Sequence, residues 1–69
     1  MHFLLLSLPC QVDSYGANTV TVSWEGAGVW TPEVVNIYWT GTLHYNCQNI
    51  NSLGVSAGSS IVLACAFNP

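Results

Sequence analysis

The sequence predicts a small all-β domain, an antiparallel β-sandwich of six to seven short strands. Short segments rich in β-branched and aromatic residues alternate apolar and polar side chains, as half-buried strands do. Clusters of Gly, Ser and Asn separate these segments at intervals of roughly 8 to 12 residues, a spacing typical of β-sandwiches. No stretch over ten residues has helical periodicity. A chain of 69 residues has room for one domain, which we place over residues 1–69.

The first predicted strand is the apolar run of residues 2–8, HFLLLSL. The run is too short to cross a membrane as a helix, and it lacks the basic start of a signal peptide. Pro9 cannot continue a central ladder, so the strand is expected to end before it. Large apolar side chains fall on both faces of this strand, which therefore needs cover on both sides. They are Phe3, Leu4, Leu5, Leu6 and Leu8.

The clearest strand signal is residues 19–24, TVTVSW, between a turn predicted at 13–18 and a Gly-containing break at 26–28. Its apolar face consists of Val20, Val22 and Trp24. The remaining predicted elements are a strand at 34–39, a turn at 40–41, a return strand at 42–45, a polar loop at 47–51, a weak strand at 52–56, a hairpin turn at 57–60 and a last strand at 61–67. The strands 34–39 and 61–67 are predicted to make the core.

The charge content is unusual and excludes several functions. An ordinary soluble domain of this size has roughly 17 charged residues, whereas this chain has three acidic residues and no Lys or Arg. Nucleic acids and phosphate ligands therefore have no cationic anchor. Half of the chain is apolar, so disorder is excluded as well. The simplest explanation is that copies of the chain cover much of its surface, which makes the chain its own partner.

The cysteines indicate an oxidising, extracellular setting. Cys10, Cys47 and Cys65 have neither a CxxC pair nor zinc-ligand spacing. One disulfide with one remaining thiol is the natural interpretation, and Cys47–Cys65 is the candidate pair. Three buried free thiols are the alternative. No Asn-x-Ser/Thr sequon is present, so N-linked sugar at that signal is excluded, whereas O-linked glycan is not.

Catalytic, metal and cofactor sites are not expected. The acids Asp13, Glu25 and Glu33 fall in separate loop-like stretches with no paired spacing. His44 and Cys47 lie three residues apart, but on a strand-to-loop stretch, which does not gather four metal ligands. We therefore expect that the chain is not an enzyme.

The aromatic residues are candidates for packing or binding. Trp24, Trp39 and Phe67 share a face with apolar strand neighbours and are expected in the core. Tyr38 lies on the opposite face of its strand, and Trp30 lies in a connection. These two could stack on sugars, as in a small lectin, or anchor a subunit interface, where Trp and Tyr are enriched. We favour the interface, because a charge-poor surface needs cover.

The order of four motifs resembles that of archaeal type IV-pilin-like filament subunits. The motifs are NTVTVSW at 18–24, GAG at 26–28, VNIYWTGTL at 35–43 and AGSSIVL at 57–63. The resemblance implies an immunoglobulin-like β-sandwich, a cell-surface location and a role in adhesion or structure. Such subunits usually carry a long apolar N-terminal helix, which this chain lacks. Either the chain is the globular part of a longer subunit, or its N-terminal strand completes the sheet of a neighbour.

The predicted function is therefore that of a structural subunit of an extracellular filament. Copies would polymerise through apolar sheet faces and through the N-terminal strand at residues 2–8. The predicted interface residues are Phe3, Leu4, Leu5, Leu6, Leu8, Trp30 and Tyr38. The alternative is a monomeric secreted module that binds carbohydrate or acts as an effector, with one exposed aromatic patch.

Overall fold

The computed structural model describes residues 4–5, 10–39 and 41–68, and this part of the chain is all-β and antiparallel without a helix. Its strands are β1 (Leu4–Leu5), β2 (Cys10–Tyr15), β3 (Thr19–Trp24), β4 (Val29–Trp30), β5 (Val34–Trp39), β6 (Thr42–Gln48), β7 (Val55–Ser56) and β8 (Ser60–Phe67). In the described residues there is accordingly no helix of the length and apolarity that a membrane span requires. The prediction of an all-β antiparallel chain is confirmed.

Six of the strands form one antiparallel sheet in the order β1-β5-β6-β8-β3-β2, and β4 pairs with β7 in a separate two-stranded sheet. The large sheet is a curled half-barrel. The sandwich arrangement that the sequence predicted is therefore not confirmed by the described residues.

Chain connectivity explains the curl of the large sheet. β1 and β2 are consecutive in sequence but lie at the two ends of the sheet. Six strands laid flat would place those ends about 24 Å apart. The five residue steps from Leu5 to Cys10 can span at most about 18 Å. The sheet must therefore bend until its ends approach each other, and β1 does come close to β2.

The concave face of this sheet holds the core. Side chains that alternate along β3, β5, β6 and β8 point inward, as the period-2 pattern predicted. The buried apolar residues that form the core cluster are Cys10, Val20, Val22, Val35, Ile37, Tyr45, Cys47 and Leu63. The predicted core strands therefore supply Val35, Ile37 and Leu63, whereas Phe67 is half exposed and does not belong to this cluster.

Two of the sequence predictions were wrong about strands. Residues 13–18 were predicted as a turn, but β2 extends through Tyr15, and only residues 16–18 connect it to β3. A bulge between Val12 and Ser14 breaks the alternation of β2, and a bulge hides a period-2 pattern. The predicted polar loop at 47–51 was also misplaced, because β6 continues to Gln48.

The segment 57–60 turns the chain, but it does not make a hairpin. β7 pairs with β4, not with β8. The Gly58 N–H donates to Trp24 O at 3.1 Å, and the Ser59 N–H donates to Ser56 O at 2.9 Å. Gly58 has φ +81°, a conformation that side-chain-bearing residues rarely adopt. The turn therefore ties the small sheet to the end of β3.

A stacked pair of indole rings closes one end of the core. The Trp24 and Trp30 ring centroids lie 5.4 Å apart at an interplanar angle of 29°. The Trp24 ring lies directly over Gly26: a Cβ at Gly26 would come within 2.3 Å of its Cζ2 atom. Glycine at 26 is therefore required for the ring to occupy this position.

Gly26→Ala is expected to displace the Trp24 ring and to weaken the near-ultraviolet circular dichroism of the tryptophans. The stability cost should be about 1–3 kcal/mol, typical of overpacking. Gly16→Ala is the matched control, because a Cβ there would have only ordinary contacts, the nearest at 3.5 Å. Equal tryptophan spectra for the two variants would contradict the close approach.

Candidate subunit interface

The surface that most resembles a contact site is the convex face of β5, β6 and β8, which we call the outer face. Its side chains alternate with the buried core residues of the same strands and are small or uncharged. They are Val34, Asn36, Asn46, Gln48, Val62, Ala64 and Ala66. Two of the apolar ones are largely exposed, Val34 at 54% and Val62 at 61%. These two valines lie on strands that β6 separates, and the residues between them are amides and alanines.

The strand register places amides beside alanines on this face. Gln48 lies opposite Ala64, and Asn46 lies opposite Ala66. On its other side, Asn46 donates a hydrogen bond from Nδ2 to Asn36 Oδ1 at 2.7 Å. A shallow hollow of about 310 Å³ lies here, lined by Asn46, Gln48, Ala64, Cys65 and Ala66. The small alanine side chains leave this space open between larger neighbours.

The three carboxylates of the chain are absent from the outer face. Asp13 is on β2, Glu25 follows β3, and Glu33 immediately precedes β5. Without Lys or Arg in the sequence, a copy has no permanently cationic side chain to pair with a carboxylate buried between copies. Covering the outer face would dehydrate only amides and apolar groups. Amides both donate and accept, so they can pair with one another across such a contact.

The second candidate contact is the side of β5 that faces away from β6, where β1 pairs with it. Leu4 is opposite Tyr38, and Leu5 is opposite Ile37, in antiparallel register. The predicted interface residues Phe3, Leu6 and Leu8 lie outside the described residues. The structure therefore places the described part of the predicted N-terminal strand beside Tyr38, which is half-buried.

Trp30 does not accompany Tyr38. It belongs to β4 of the small sheet, packs against the core and stacks on Trp24. The two residues predicted to share one aromatic interface therefore lie on different sheets. Trp30 is half-buried, so part of its ring still faces solvent.

An aromatic cluster that the sequence did not indicate lies at the end of β6 and β8. The Tyr45 ring is 5.0 Å from the Phe67 ring and 6.3 Å from the Tyr15 ring, measured between centroids. The Tyr45 hydroxyl donates to Gly16 O at 3.2 Å. Tyr15 and Phe67 are about half exposed. Only the pairing of β6 with β8 and the length of β2 bring these rings together, so no local pattern could have predicted the cluster.

The cysteines are divided as the sequence suggested. Cys47 and Cys65 lie directly opposite each other on β6 and β8 and are joined by a disulfide. Cys10 is a free, buried thiol. Burial, reinforced by the Asp13 carboxylate, raises the pKa of this thiol to about 11. At neutral pH the thiol is protonated, which makes it a poor nucleophile and a poor metal ligand.

The described part of the chain contains no group of three or more His, Cys, Asp or Glu residues that could hold a metal ion. The Asp13 carboxylate instead accepts hydrogen bonds from Gln11 and Ser23.

No family model, curated protein or solved structure matches this chain.

Proposed function

We propose that this chain is the structural subunit of an extracellular, pilus-like filament. Copies join when the N-terminal strand of one copy pairs with the β5 edge of the next, and their outer faces pack side by side. The observation that carries the proposal is the position of β1. Among the described strands, it is both the first in sequence and the last of the sheet on the β5 side.

This position makes exchange between copies simple. Within the described residues, β1 pairs with one strand only, through two residues, so few backbone hydrogen bonds of that part of the chain must break for it to leave. The β1 of a neighbour would then make the same backbone hydrogen bonds at the same edge, which is the geometry of strand addition and domain swapping. Each copy accepts one strand and donates one, so this head-to-tail contact gives an open polymer unless its rotation closes a ring.

The short connection after β1 supports exchange over self-closure. Only four residues separate Leu5 from Cys10, and within one chain they must bridge the two ends of the curled sheet. A short hinge that has to fold back is the situation in which strands swap between copies. In the exchanged form the same residues would run to the neighbouring copy.

Lateral packing of outer faces would supply the second layer that the sequence predicted. Stacked sheets pack about 10 Å apart with interdigitated side chains. The side chain of Val34 or Val62 of one copy is small enough to enter the hollow over Ala64 and Ala66 of another. The immunoglobulin-like sandwich is in this proposal formed between chains, and the resemblance to archaeal pilin-like subunits is part of the same proposal.

The extracellular, cell-surface location is supported by the disulfide between Cys47 and Cys65, since disulfides persist in oxidising compartments. Exposed hydroxyls on β3, such as Thr19, are available to O-linked glycan. Adhesion to a surface or glycan target remains part of the proposal. We also propose that the chain has no catalytic role.

The alternative function is that of a monomeric secreted carbohydrate-binding or effector module. The amides of Asn46 and Gln48 beside an open hollow favour it, because amides pair well with sugar hydroxyls. A monomer would leave the outer face free for such a ligand. Oligomeric state therefore separates the two functions.

The proposal is tested by electron microscopy of the purified chain beside a variant that lacks residues 2–8. We expect filaments from the whole chain and soluble particles from the truncated one. Far-ultraviolet circular dichroism checks that the truncated chain keeps its sheet.

A synthetic peptide of residues 1–9 provides the control. If the β5 edge accepts a strand from another molecule, the peptide should bind the truncated chain and raise its melting temperature, whereas a peptide of scrambled order should not. Monodisperse small particles from the whole chain at high concentration would contradict the filament. A screen of the outer face for glycan binding would then be the next step.

A further inference from the structure

The two ends of the large sheet differ in a way that bears on association. The β1 end carries only leucines in its described residues. The β2 end carries Asp13, one of the three charged residues of the chain. Among the described strands, none forms a ladder with the free side of β2, although β1 comes close to it.

Asp13 lies at a bulge. Val12 pairs with Val22 and Ser14 pairs with Thr21, so Asp13 is an extra residue without a partner on β3. An inserted residue of this kind interrupts the row of backbone groups and increases the local twist of the strand. The free side of β2 is therefore a poor template for another strand.

Two hydrogen bonds fix the carboxylate at this place. Ser23 Oγ donates to Asp13 Oδ1 at 3.1 Å, and Gln11 Nε2 donates to the same oxygen at 3.2 Å. Ser23 is on the neighbouring strand β3 and Gln11 is on β2 itself. The charge is thus held beside the edge by both strands.

A second copy would meet an electrostatic penalty at this edge. Antiparallel pairing of two β2 edges brings two Asp13 carboxylates towards each other, and like charges near one another destabilise strand pairing. No copy has a Lys or Arg to neutralise them. Bulges and edge charges are the devices by which natural sheets prevent edge-to-edge association.

We propose that the Asp13 bulge closes the β2 edge to strand addition by other copies, so that strands add only at the β5 edge. This inference rests on the proposed filament for its consequence, which is growth by strand exchange at the β5 edge without edge-to-edge pairing of β2 strands. The block, by which we mean the prevention of strand addition at the β2 edge by the Asp13 bulge, can be tested whether or not the chain forms filaments.

The test compares Asp13→Val with Glu25→Val. Both variants remove one negative charge and add the same side chain at an exposed position, but Glu25 follows β3 and does not lie on a free edge. We expect Asp13→Val to form sheet aggregates, seen by light scattering and thioflavin T fluorescence, at a concentration at least about tenfold lower than Glu25→Val. Equal thresholds for the two variants would overturn the inference.

Asp13→Asn keeps the side-chain shape and removes only the charge, so it also covers the case in which Asp13→Val does not fold. We expect its threshold to fall below that of Glu25→Gln. An unchanged threshold would overturn the electrostatic part of the block. Filaments from the native chain with no effect of Asp13 would reject the block and keep the filament. If the native chain is monomeric and Asp13→Val aggregates, the filament proposal is rejected and the block at the β2 edge is kept.

Discussion

Leu63→Ala is expected to lower the free energy of unfolding by about 2–5 kcal/mol, the usual range for a fully buried leucine. Leu63 has no exposed surface and lies in the middle of the core cluster. Its strand, β8, pairs with both β3 and β6, so the cavity cannot collapse without moving the centre of the sheet. For a domain of this size such a loss is a large fraction of the total stability. Urea unfolding followed by tryptophan fluorescence measures it.

The matched control is Val62→Ala, on the adjacent residue of the same strand. Val62 is 61% exposed on the outer face, and exposed positions usually change stability by no more than about 0.5 kcal/mol. The two variants thus separate the concave face from the convex face. If Val62→Ala cost as much as Leu63→Ala in the dissociated chain, the assignment of the two faces would be wrong.

Loss of the disulfide is expected to have a comparable effect. In the chain-entropy model, closing a loop with a sequence separation of 18 residues stabilises a protein by about 3 kcal/mol. The variant Cys47→Ala/Cys65→Ala should therefore lose about this amount, plus the packing of the fully buried Cys47 side chain. Thermal unfolding of both proteins, each with and without reductant, measures the loss.

Reductant should destabilise the native chain and leave the double variant unchanged. Cys10→Ala is the control, since it removes the free thiol and keeps the bridge. Its intact mass should remain two hydrogens below the fully reduced value. A Cys10→Ala protein that responds to reductant as weakly as the double variant would show that the stabilising bridge involves Cys10.

The strands that the sequence located well are those with unbroken alternation. Thr19–Trp24 and Val34–Trp39 have the predicted bounds, because a side-chain period of two is a local property of the chain. β2 was missed because the bulge at Asp13 interrupts its period. β4 and β7 have two residues each, too few for any period to be visible. Phe67 was wrongly predicted to lie in the core. It is on the same face of β8 as the buried Leu63, but the core ends before the strand does, and Phe67 is half exposed.

For the candidate interface as well, some features follow from the sequence and others depend on the tertiary structure. That the outer face would lack Lys and Arg follows from composition alone, as neither residue occurs in the chain. That it also lacks carboxylates depends on where the strands place Asp13, Glu25 and Glu33. Which uncharged residues meet there depends on register. Asn36, Asn46 and Ala66 adjoin only because β6 lies between β5 and β8.

The sequence by itself determined the all-β class and the inward and outward faces of the central strands, since these depend on local alternation and on residue types. Tertiary structure alone decided the order of the strands and the placement of β1 and β2 at opposite ends of one curled sheet. The physical reason is that a strand pattern specifies which side chains face the core but not which distant strand satisfies its backbone hydrogen bonds. That choice depends on how the whole chain closes around one core.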